Sequence, residues 1–173
     1  MRITVFFLGV LLSASVSMAG EPLKIPAVSS FVTVKASSKE YKDIRGVIDV
    51  IIAAAKKGDV ETIAANFSRT YLNSGRDIKD VRKQWAQIIE NFTDLELQHP
   101  IYNIEISGNF ARMRCEGVLY GKPKKAAVGD VNEQLVIDSW KLAVHNFIKE
   151  DGAWKILGDQ VPYDTGRTHH PLF

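Results

Sequence analysis

The sequence predicts an α+β fold, with three helices packed on a curved antiparallel sheet. Apolar residues recur at helical spacing from Tyr41 to Phe92, then alternate with polar ones at a period of two from Leu95 to Val161. The helical and extended stretches are segregated along the chain rather than interleaved, which separates this pattern from a parallel α/β sheet. A strongly curved sheet packed on helices by one face would form a half-open cone.

The chain opens with Met1-Arg2, continues through the uncharged run Ile3–Leu12 and ends this segment in Ser17-Met18-Ala19. That run is too short for a membrane span, which needs about 20 apolar residues. A positive start, an apolar run and a small-x-small site together read as a secretory signal over residues 1–19. The expected product is therefore exported, to a periplasm or the extracellular space, with no membrane anchor. Residues 20–39 read as a leader with two prolines and a Ser-rich stretch, and an edge strand near Phe31 is one way for it to attach.

The helices follow in order. Tyr41, Ile44, Val47, Ile48, Ile51, Ile52 and Ala55 share one helical face, and Gly58 is a natural stop. Asp59 is suited to cap a short second helix carrying Ile63, Ala64 and Phe67. Asp77 opens a third, whose Ile78, Val81, Trp85, Ile88, Ile89 and Phe92 form its apolar side.

Two hairpins come next. Gly108-Asn109 suits a two-residue loop, which pairs Ser107 with Phe110 and sets Glu105 opposite Arg112. The inward face would then hold Tyr102, Ile104 and Ile106 against Cys115, Met113 and Ala111. In the second hairpin, Glu150-Asp151-Gly152 reads as a type I turn with a Gly bulge, pairing Ile148 with Trp154 and Asn146 with Ile156. This register faces Trp140, Leu142, Val144, Asn146, Ile148, Trp154, Ile156 and Gln160 inward. His145, Phe147 and Leu157 fall on the outer face. One domain over residues 40–161 and a polar, disordered tail over 162–173 complete the expectation.

Composition sets limits. The chain is 46% hydrophobic and 24% charged, enough to build a core. Removing Arg2 from a formal net charge of +2 leaves +1, which offers no electrostatic reason to expect nucleic acid as a partner. Cys115 is the only cysteine, so no internal disulfide can form, and a buried, inert thiol is expected.

Gly58–Phe67, GDVETIAANF, resembles the Gly-Asp signature of the nuclear-transport-factor-2-like superfamily, and Asp151–Gln160, DGAWKILGDQ, is similar to its usual last strand. The resemblance spans Tyr41 to Val161. It implies a cystatin-like cone and relatives such as ketosteroid isomerases, SnoaL-type polyketide cyclases and scytalone dehydratase. It also implies where isomerase groups would stand: the oxyanion donor falls on Ile51 and the general base on Gly75, and neither can serve. Many members are exported domains without an assigned activity.

The candidate site follows from the registers. Tyr71, Tyr102, Met113, Trp140, Asn146 and Gln160 would line the cone, with the two amides orienting a small, largely apolar ligand. The alternative is that these amides bond loop backbone or buried water. Phe147 and Leu157, with His145 beside them, would form a homodimer interface on the outer face, unless the leader near Phe31–Val34 folds over it. No catalytic arrangement, metal motif or cofactor signature stands out; His169 and His170 are adjacent and do not converge on an ion. A non-catalytic binding domain is the expected function, with a lyase or isomerase of the SnoaL type and a dimeric interaction module as alternatives. Deep amides would mark binding, whereas a deep carboxylate or a perturbed His would mark catalysis.

Overall fold

A computed structural model describes residues 21–130 and 132–172. The expected signal, residues 1–19, lies outside the described residues.

Three helices come first; Asp59 and Asp77 cap the second and third as expected, and Ser38, within the expected leader, caps the first. α1 (Lys39–Lys56) starts at Ser38, whose hydroxyl accepts from Tyr41 N–H, and buries Ile44, Val47, Ile48 and Ile51. α2 (Val60–Ala64) is capped by Asp59. α3 (Ile78–Asn91) begins with a reciprocal capping box between Asp77 and Asp80 and buries Val81, Trp85 and Ile88. All three lie on one side of a single antiparallel sheet.

The strands are β1 (Val32–Thr33), β2 (Phe92–Gln98), β3 (Ile101–Ser107), β4 (Phe110–Pro123), β5 (Leu135–Glu150) and β6 (Ala153–Ile156). The sheet runs β1-β3-β4-β5-β6, and β2 pairs with the far half of β4. The stretch expected as one strand from Leu95 is thus two, broken at His99-Pro100, because proline cannot donate to the ladder.

The first hairpin has the expected register, Ser107 opposite Phe110 and Glu105 opposite Arg112. An irregularity between Ile101 and Asn103 then takes Tyr102 out of the inward row, and Ile101 pairs with Cys115 instead.

The second hairpin differs by one residue. Glu150 pairs with Ala153 and Phe147 with Ile156, so the loop is Asp151-Gly152 alone. Both loop residues have left-handed backbone, φ 49° and 82°, as in a type I′ turn. A one-residue change turns every side chain of a strand to its other face. His145 and Phe147 therefore point inward and are fully buried, as is Leu157 just past β6. These three residues cannot form an outer interface. Leu142 and Asn146 leave the inner face, and Leu142 is 69% exposed.

Trp140 nevertheless remains inside. A bulge between the pairs Cys115–Ala143 and Gly117–Trp140 adds one residue to β5, with Leu142 at φ 50°, and restores the parity. The indole lies across Gly117, where a Cβ would stand only 2.4 Å from the ring.

The leader adds an edge strand near Phe31 rather than a cover over Phe147 and Leu157, which are already inside. Leu23 N–H donates to Gln160 Oε1, Phe31 lies beneath the Arg112 guanidinium at 5.4 Å, and Val32 pairs with Ile106 on β3. The tail also docks rather than remaining free. Trp85 Nε1 donates to the Pro171 carbonyl at 2.9 Å, and the Leu172 side chain is fully buried in the core.

Candidate functional site

The inner face of β4 presents Met113, Cys115, Gly117 and Leu119 in alternation. Across from them β5 places His145 opposite Met113, Trp140 opposite Gly117 and Asp138 opposite Leu119. His99 joins from the break between β2 and β3, where the Pro100 carbonyl accepts from Glu116 N–H at 3.1 Å. Its ring lies 5.8 Å from those of both Trp140 and His145, centroid to centroid. The ligand-type atoms of His99, Cys115 and His145 lie within 4.8 Å of one another.

The tail closes this cluster. His170 Nδ1 bonds Asp138 Oδ2 at 2.8 Å, and its ring stands 5.6 Å from Trp140. The Leu172 carbonyl lies 3.2 Å from His145 Nδ1. A carbonyl only accepts, so Nδ1 carries the proton, and Nε2 of the neutral ring is an acceptor.

Burial governs the protonation of the cluster. It lowers His99 to about 4, with a smaller contribution from the Arg45 guanidinium. His145 is held well below 6.5, first by burial and then by His99. The Cys115 thiol is pushed up to about 11 by burial, against a hydrogen bond with the Trp140 side chain. At neutral pH the cluster is therefore two neutral imidazoles and a protonated thiol. A groove of about 260 Å³ between α1 and β2, lined by Arg45, Ile48, Asp49, Ile52 and Leu97, reaches His99 from the surface. A larger cleft of about 620 Å³ at the end of α1 is bordered by Lys56, Lys57, Asp94, Glu96 and Lys124, away from these groups.

Of the residues expected to line the cone, Met113 and Trp140 do so. Tyr102 is 52% exposed, and its phenol bonds Glu116, which raises its pKa. Tyr71 is buried edge-on to Phe67 at 5.0 Å, and burial raises its phenol. Both amides bond backbone. Asn146 Nδ2 donates to Gly158 O at 3.0 Å, and Gln160 Nε2 donates to Thr70 O at 3.0 Å and Leu157 O at 2.9 Å. With Leu23 on its oxygen, Gln160 ties leader, loop and last strand together. Asp138 puts a carboxylate on the inner row of β5, and the fold brings together His99, Cys115 and His145, which no sequence spacing had linked. The sequence signal for the inward His145 was the Asp-Gly dipeptide, a type I′ turn signature. His99 was signalled only by the proline after it.

No family model and no curated protein matches the chain. Solved structures do. A conserved protein from Planctomyces limnophilus superposes with a TM-score of 0.55 at 18% identity, over 69% of this chain and 91% of that one. A putative scytalone dehydratase from Novosphingobium aromaticivorans gives 0.53 at 16% identity, over 75% and 95%. A putative dehydratase of the nuclear-transport-factor-2-like family from Streptomyces avermitilis gives 0.51 at 13%, over 69% and 92%. The chain has the nuclear-transport-factor-2-like, cystatin-like fold. Identities this low carry the fold alone, and the fold hosts many chemistries.

Proposed function

We propose that this nuclear-transport-factor-2-like chain is an exported binding domain that holds a small ligand inside its cone. The polar end of the site is His99, Cys115 and His145, and the C-terminal tail is its cover. The observation that carries this reading is the seating of Leu172: an apolar side chain fills the interior beside the imidazoles while its carbonyl is held by His145. An outgoing Leu172 would leave an apolar chamber with polar groups at one end, the usual make-up of a small-molecule site. The test is Leu172→Ala. It should gain saturable binding of an apolar fluorescent probe, anilinonaphthalene sulfonate, with an unchanged far-ultraviolet spectrum. A folded Leu172→Ala protein that binds no more probe than wild type refutes the reading.

A second reading, a lyase or isomerase acting by proton transfer, is favoured by the Asp138–His170 pair. The carboxylate fixes which nitrogen of His170 carries the proton and orients the ring beside Trp140, as a carboxylate does for a catalytic imidazole. A compound that binds and is turned over, with turnover but not binding lost in His170→Asn, would select it.

A further inference from the structure

We propose that His99, Cys115 and His145 bind a thiophilic transition-metal ion, Cu(I) or Zn(II), inside the cone. This rests on taking the cone interior as the binding site and names the ligand of its polar end.

Geometry is the first support. Three donors from three separate parts of the sheet converge to within 4.8 Å of one another. Bonds of about 2.0–2.1 Å to nitrogen and 2.3 Å to sulfur need separations nearer 3.3–3.8 Å, a closure that side-chain rotation can supply. The donor set is the second. Two imidazoles and a thiol suit copper and zinc, and the triad has no carboxylate to attract magnesium or calcium. Register places Met113, a thioether, two residues before Cys115 on the same strand face and opposite His145.

The third support is the orphaned nitrogen. His99 Nε2 is buried with no hydrogen-bond partner among the described residues. A buried acceptor without a partner is costly, and a partner that is bound only at times explains its retention. Around the triad stand groups of the kind that orient metal ligands. The Leu172 carbonyl holds His145 Nδ1, and the Trp140 side chain bonds the Cys115 sulfur. The groove between α1 and β2 ends at His99 and gives an ion a path from the surface.

The proton balance is simple. Cys115 binds as thiolate, so uptake of the ion releases one proton to solvent; the two imidazoles enter neutral and release none.

The test uses full-length protein without a histidine tag, stripped with chelator and kept reduced. Titration with Zn(II), and separately with Cu(I), against a chromophoric chelator should reveal one tight equivalent for at least one of the two ions. Co(II) should give thiolate charge-transfer absorption that is absent in Cys115→Ser. Affinity should fall at least about 100-fold in Cys115→Ser and His99→Gln and stay unchanged in His169→Asn. Bound metal should also slow alkylation of Cys115 in the wild type, a readout that does not depend on any variant folding. Binding of neither ion by wild type at micromolar metal overturns the proposal. So does binding that survives Cys115→Ser or is lost in His169→Asn. If metal fails while Leu172→Ala still gains the apolar probe, the cone remains the binding site and only its ligand is wrong. If both fail, the site itself falls.

Discussion

The β3–β4 hairpin turns on Gly108-Asn109 with one left-handed residue, Gly108 at φ 57°, whereas β5–β6 turns on Asp151-Gly152 with two, at φ 49° and 82°. Both loops are two residues long, and both strand pairs put one face on the helices. The first buries an almost wholly apolar row. The second buries His145 and Phe147 and brings Asp138 to the cone, and His145 there meets Cys115 of the first hairpin and His99 of the break before it. A three-residue loop in the second hairpin would place the amide of Asn146 where the imidazole of His145 now lies. The lesson is that turn chemistry sets strand parity, and parity decides which polar groups a core must accommodate.

The largest test of that parity is a pair of truncations. Phe147→Ala, at a position with no solvent exposure, should cost about 3–5 kcal/mol. Ile148→Ala, its half-buried neighbour on the other face, should cost less than half as much. Chemical denaturation of both variants measures this, and the reverse order would show that β5 is the other way up.

Acid offers the next largest effect. His99 titrates near 4 in the folded protein against 6.5 as its ordinary value, and His145 is lowered as well. The unfolded chain therefore binds more protons, so stability is full above pH 6.5 and falls as the pH drops through the window toward 4. For His99 alone that loss is about 3 kcal/mol at the acid end, at about 1.4 kcal/mol per unit. Denaturation midpoints between pH 7 and 4 should show this slope, and His99→Gln should flatten it. The first hairpin contains no histidine and contributes nothing to it.

Smaller effects probe the backbone. Gly152→Ala meets no neighbouring atom, so its cost is conformational, about 1–2 kcal/mol. A melting temperature equal to wild type would show that the turn has another form. Leu142→Gly should do the opposite. The leucine is exposed at φ 50°, and relief of that conformation exceeds the entropy that glycine adds by under 1 kcal/mol. A destabilised Leu142→Gly would mean that the bulge depends on the side chain.

The helices were legible because each carries a periodic face, and Asp59 and Asp77 stand where local chemistry requires a cap; the Ser38 cap of the first was hidden in the Ser-rich leader. The first hairpin was legible because Gly108-Asn109 and the Glu105–Arg112 pair gave the same register. In the second hairpin apolar residues occupy both faces, so the pattern did not reveal the slip. The bulge at Leu142 was hidden for a different reason, since no glycine or proline announces it. The site was less legible than the fold. Met113 and Trp140 were placed inside, but His99 enters through a strand break and His170 through a tail whose polar composition conceals the anchoring of Leu172.

The leader carries a consequence for the order in which the molecule assembles. The bond from Leu23 N–H to Gln160 spans 137 residues, and β1 pairs with a strand some seventy positions later. Synthesis delivers the leader first, yet its partners exist only after the hairpins have formed. Contacts of such separation close late, because the entropy of joining distant segments must be met before they yield anything. Until then the outer face around Phe31 and Arg112 stands uncovered. A segment made before the sheet is thus among the last to be set in place, and the interval between is when the chain is most exposed to association with its neighbours.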